Sequence, residues 1–156
     1  MRLKKKREDK PIVRKHYINI ACQDMLMKQY FPQFKFYTRA TQSYWLGEIT
    51  SNRDVIYKVK IVYHSSRPQV FILDPPLLKK SPHVYEDDSL CLYYPSDHSF
   101  DKEKMIAKTI LPWVCEWVYY YEVWQEEGVW WGPEAPHRLD SNKGKRIAKK
   151  YARGVL

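Results

Sequence analysis

Asp54-Val-Ile-Tyr-Lys-Val-Lys-Ile-Val-Tyr63 carries lysine and apolar side chains in strict alternation from Tyr57 to Ile61. Period two, with β-branched and aromatic residues, fits a half-buried pleated strand and not the 3.6-residue repeat of a helix. The strand is bounded by Ser51-Asn52-Arg53-Asp54 and Ser65-Ser66-Arg67-Pro68, both rich in turn residues. Working outward, Lys35–Arg39 around Phe36 and Tyr44–Thr50 with Trp45 and Ile49 read as two earlier strands. Gln69–Leu73 reads as a fourth, closed by Asp74-Pro75-Pro76. Connections this short join antiparallel neighbours, so a four-stranded meander is expected.

Helices flank the meander. Between Lys10 and Tyr30, residues Ile12, Ile18, Ala21, Cys22, Met25, Leu26 and Met27 take helix-like spacing from Ile18 onward, and Pro32 stops the run. Residues 77–100 hold little periodicity and an acidic run, Glu86-Asp87-Asp88. A long irregular segment inside a compact domain is more often functional than idle. Thr109 then caps a second helix, with Pro112 harmless in its first turn. Ile110, Trp113, Trp117, Tyr120 or Tyr121 and Trp124 form an aromatic stripe read as core, and Gly128 marks its end. Val129–His137 reads as a compact, proline-fixed segment, and Lys143–Ala152 as a last basic helix. The fold class expected is α+β, in one domain.

The formal charge of +9 is unevenly spread. Residues 1–16 and residues 138–156 each carry +6, while residues 17–137 carry −3. Of the 24 aromatic residues only Tyr151 lies in either basic end. Such ends read as solvated tails or as arms for an acidic partner. Three cysteines make no disulfide framework, and the basic start is followed by no apolar signal segment. No apolar run approaches the ~20 residues of a membrane span. A cytoplasmic globular protein with no membrane partner is expected.

The five glycines build no phosphate loop, and there is no CxxC, HExxH or G-x-S-x-G pattern. No metal and no cofactor is therefore expected. Attention falls on the thiols. Cys22, on the first helix, and Cys115, in the aromatic helix, read as inert core residues. Cys91 differs, because Asp87-Asp88-Ser89-Leu90-Cys91-Leu92-Tyr93-Tyr94-Pro95 lies in the irregular segment, where a thiol can meet solvent.

Around Cys91 the sequence resembles the ubiquitin-conjugating enzymes, which hold a ubiquitin-like protein as a thioester on one cysteine. That family places a His-Pro-Asn tripeptide before the cysteine, with eight positions from Asn to Cys. Here Ser81-Pro82-His83 precedes Cys91, again with eight positions from His83, and Leu90-Cys91-Leu92 matches the family's segment. Trp45–Ile49, Tyr57–Ile61 and Gln69–Pro76 resemble its strands and proline pair, and the element order is the same. Residues 12–130 carry the likeness. The departures are Ser81 for the family's His, His83 for its Asn, and no acidic gate residue after the cysteine. With the W-x-x-x-W helix and the Trp131-Gly-Pro-Glu-Ala-Pro-His137 ending, they point to the stand-alone conjugating-enzyme-like proteins of bacterial antiphage operons, those of cyclic-oligonucleotide signalling (CBASS).

The resemblance implies a ubiquitin-conjugating (UBC) fold over residues 12–137, between a basic tail at 1–11 and a basic tail or helix at 138–156. It implies a cysteine-dependent acyltransferase. Cys91 would take the C-terminus of a cGAS/DncV-like nucleotidyltransferase as a thioester and pass it to an amine on a target lysine. A separate adenylating enzyme would do the charging. His83 would donate to the oxyanion in place of Asn. His137 or His98 would orient or deprotonate the incoming lysine. Tyr93, Tyr94 and His98 follow the cysteine closely, a position from which they line its pocket or from which the tyrosines cover the sheet edge with hydroxyls in water. Two other readings stand beside this one. A non-catalytic adaptor of the same fold would bind a protein tail without a thioester, a reading the intact cysteine disfavours. A nucleic-acid-binding protein would interleave basic and aromatic residues, which the sequence keeps apart.

Overall fold

The computed structural model describes residues 17–64, 67–93 and 100–133. The basic ends, the helix expected at Lys143–Ala152, and Tyr94, His98, Glu134 and His137 lie outside the described residues. The elements run α1 (Ile20–Tyr30), β1 (Lys35–Arg39), β2 (Gln42–Thr50), β3 (Ile56–Val62), β4 (Gln69–Asp74), a 3-10 turn at Ile106–Lys108, and α2 (Ile110–Glu127). This is the α+β architecture expected, with the four strands in sequential antiparallel order. It is compatible with a UBC-like fold. Among the described residues no helix is long and apolar enough to cross a membrane.

The alternation read in the sequence sets the sheet. Tyr57, Val59 and Ile61 point to the core, while Lys58 is exposed and Lys60 half-buried on the opposite face. Tyr44 pairs with Val62 and Trp45 with Ile61, so Trp45 shares the inner face and is fully buried. The open face holds a pairing the sequence concealed. Tyr37 stacks on Tyr44, and Lys60 Nζ lies 4.5 Å from the Tyr44 ring centroid. Basic and aromatic residues thus do interleave there, and not every aromatic is core.

Helix α1 corrects the expected face. Asn19 caps it, its side chain accepting from the Cys22 N–H. Gln23 and Met27 are buried, whereas Met25 is exposed and Cys22 with it. Gln23 is held in the core because both ends of its amide are satisfied. Nε2 donates to the Lys104 carbonyl at 2.9 Å and Oε1 accepts from Ile106 N–H at 3.0 Å. Asp24, next along, accepts from the buried Trp45 indole at 3.0 Å. These two polar residues fasten α1 to the chain before α2 and to the sheet.

In α2 the buried positions are Ile110, Leu111, Val114, Trp117, Val118, Tyr121 and Glu122. Trp113 and Trp124 only pack against the core edge, and Tyr121 is the buried member of the tyrosine pair. Cys115 is exposed on the far side, in a shallow cleft with Ile49 and Tyr119, and its thiol is pushed up by desolvation. Neither Cys22 nor Cys115 is the core thiol expected; composition says how apolar a residue is, not which way its helix turns it. Thr109 holds the cap position without capping, since its hydroxyl donates to the Met105 carbonyl at 2.7 Å. Gly128 does end the helix, in the left-handed conformation at φ 71°.

Buried Glu122 braces α2 to the sheet. Tyr57 Oη donates to it at 3.0 Å, and Arg53 pairs with both Glu122 and Glu126. Burial and the Glu122 carboxylate together push the Tyr57 hydroxyl well up, so it stays a donor.

Candidate active site

The free edge of β4 positions the segment around Cys91. Leu90 N–H donates to the Val70 carbonyl at 2.8 Å, which docks the segment beside the sheet. From there the chain forms a miniature hairpin. Val84 bridges Leu90, Tyr85 N–H donates to the Ser89 carbonyl, and Cys91 N–H donates to the His83 carbonyl, both at 2.8 Å. The acidic run is the hairpin's turn. Asp87 accepts from the Ser89 hydroxyl at 2.5 Å, the Ser89 N–H at 3.0 Å and Gln69 Nε2 at 2.7 Å. Those hydrogen bonds, the Ser89 hydroxyl first, hold the Asp87 carboxyl below its usual range. The Asp87 carboxylate is thus part of the scaffold of the loop.

The structure brings His83 and Cys91 together across the mouth of this hairpin. His83 has a left-handed backbone, φ 54°, a conformation that non-glycine residues adopt seldom and Asn and His more than most. The position where the resembled family has Asn therefore has a backbone demand that His also meets. Its carbonyl accepts from the Trp117 indole at 3.2 Å as well as from Cys91, which ties the loop to α2. Its ring lies 4.7 Å from the Trp130 ring, centroid to centroid. Trp130 also contacts Trp117 and Tyr120, so the segment after α2 forms an aromatic wall behind the imidazole.

Cys91 is half-buried, and its thiol donates to the Tyr85 hydroxyl oxygen at 3.2 Å. Tyr85 was missed in the sequence; its only signal there is a place six residues ahead of the cysteine, inside the same irregular run. The Arg67 guanidinium sits over the Tyr85 ring, 4.5 Å from its centroid. Burial, then the contact with Cys91, pushes the phenol up to about 12. Tyr85 also forms one wall of an open cleft of about 580 Å³, whose other walls include Ile72, Leu77, Leu78 and Lys79.

Tyr93 follows Cys91, but its ring packs between Phe100 and Trp113. Its hydroxyl is buried with no hydrogen-bond partner among the described residues, so it does not sit in water over the sheet edge. Burial raises that phenol too.

A sequence family described as Type II CBASS E2 protein matches residues 23–138, well over half of the chain. The chain belongs to that family. A comparison with curated proteins finds no match. This CBASS E2-like protein accordingly sits in antiphage defence, among proteins of the conjugating type.

Proposed function

We propose that this E2-like protein is a cysteine-dependent acyl carrier. Cys91 receives the C-terminus of a partner protein as a thioester and yields it to an amine. The observation that supports this best is the setting of Cys91. Its half-buried thiol sits at the end of a hairpin clamped to β4, against the hydroxyl of Tyr85, which lines an open cleft, while its backbone N–H is bonded to the His83 carbonyl. A carrier needs such an accessible sulfur on a rigid support, with donors nearby for the developing charge. His83 serves as oxyanion donor, and His98 or His137 receives the proton of the incoming lysine.

The partner is a cGAS/DncV-like nucleotidyltransferase, charged onto Cys91 by a separate adenylating enzyme and delivered to target lysines in the bacterial cytoplasm. The catalytic domain is residues 12–137, and the two basic ends dock an acidic surface of that partner. The test is intact-mass analysis after co-expression with the partner genes. The wild-type adduct should be released by excess thiol through thioester exchange and survive a phosphine reductant, and Cys91→Ser should trap an ester that resists both. A thiol-labile adduct that persists unchanged in Cys91→Ala would show that Cys91 is not the carrier.

A further inference from the structure

The hydrogen bond between Cys91 and Tyr85 cannot keep its direction once the sulfur is acylated. In the free protein the thiol donates to the phenol oxygen at 3.2 Å. A thioester sulfur has no proton, so the same contact persists only if the phenol O–H turns to donate to sulfur. Neutral sulfur accepts weakly. A departing thiolate accepts strongly, because hydrogen bonds to an ion are about twice as strong as neutral ones. A contact that strengthens as the bond breaks lowers the barrier instead of merely tightening binding. Resting on the reading of Cys91 as the carrier, we propose that Tyr85 is a catalytic residue whose hydroxyl donates to the Cys91 sulfur as it leaves.

In that step the amine nitrogen uses its lone pair to form the new C–N bond. The C–S bond breaks and its electron pair goes to sulfur. The proton lost from nitrogen goes to the histidine base proposed above and from it to water, and the thiolate, held by the Tyr85 O–H, is later reprotonated from water. Tyr85 keeps its own proton throughout.

The surroundings suit a fixed, protonated donor. Tyr85 N–H donates to Ser89, its carbonyl accepts from Asp88 N–H at 3.0 Å, and Arg67 covers its ring. With the phenol pushed up to about 12, it carries its proton at neutral pH. The role is also uneven. During loading a donor to the sulfur favours the thiolate but blunts its attack, and the two effects partly offset. Tyr85 should matter more for discharge than for loading.

The experiment loads the full-length protein with a mercaptoethanesulfonate thioester of a short glycine-ending peptide, maps the acyl group by mass spectrometry, and follows discharge to hydroxylamine. Tyr85→Phe should still load on Cys91, with a change in rate smaller than the change in discharge. Its discharge at saturating amine should be about tenfold slower, with the half-saturating amine concentration unchanged, as expected for one lost hydrogen bond to a charged group. Tyr85→3-fluorotyrosine, nearly isosteric and more acidic, should discharge faster than wild type, which keeps the test valid if the Phe variant folds poorly. Wild-type protein that takes no acyl group on Cys91 overturns the carrier reading and this role with it. Normal loading with unchanged discharge in Tyr85→Phe, or no gain in the fluorinated protein, overturns the role of Tyr85 alone.

Discussion

Replacing His83 separates what its backbone does from what its imidazole does. The residue sits at φ 54° and its ring lies 4.7 Å from that of Trp130. Left-handed backbone costs a residue with a Cβ roughly 1–2 kcal/mol, and glycine escapes most of that. An aromatic ring contact contributes about 0.5–1.5 kcal/mol beyond its buried area. His83→Gly therefore loses the contact and relieves the backbone, and should lie within about 1 kcal/mol of wild type by urea denaturation. His83→Ala keeps the strain, loses the contact, and should be about 1 kcal/mol less stable than wild type. His83→Asn tolerates the conformation and retains an N–H donor. Discharge of acylated Cys91 should rank differently. The Asn variant should stay near wild type, while Gly and Ala fall by ~10²–10³, the usual loss for one oxyanion donor. A folded His83→Gly protein that discharges as fast as wild type would refute an oxyanion role, leaving His83 as a residue that only shapes the loop.

Two further outcomes bear on the scaffold. A Cβ on Gly47 would stand 2.5 Å from Phe34 Cγ, and Phe34 is buried at 1% exposure with nowhere to go. Gly47→Ala should lose about 1–3 kcal/mol in denaturant melts, and Gly47→Ala with Phe34→Leu should recover part of it; equal stability of Gly47→Ala and wild type would contradict the packing described. Asp87 has its carboxyl held below the ordinary 3.8, so its contribution is complete above that pH and lost as pH falls through the lower, folded value. Asp87→Asn should thus narrow the gap in melting temperature between neutral and acid solution, and an unaltered acid limb would place the pH dependence elsewhere.

The strands were legible because one face of the sheet is buried and the other is not. That asymmetry writes period two directly into Tyr57–Ile61, and the turn residues at both ends set the length. The face of α1 was not legible. Gln23 is buried at 1% exposure because Lys104 and Ile106, more than 80 residues away, take up its amide, and no local pattern announces such partners. Cys22 and Cys115 were misplaced for a related reason: hydropathy ranks a thiol as core, while exposure depends on which side of its helix meets the sheet.

By itself the sequence determined the meander, the second helix with its glycine stop, and the one thiol in an irregular segment, since each is written in local spacing. Only the tertiary structure decided what surrounds that thiol. Tyr85, Arg67, Trp117 and Trp130 meet Cys91 and His83 because a hairpin folds back onto the open edge of β4 and under α2. The hairpin is held there by the Leu90–Val70 and Trp117–His83 hydrogen bonds, which join residues well separated in the chain, and local spacing holds no record of them.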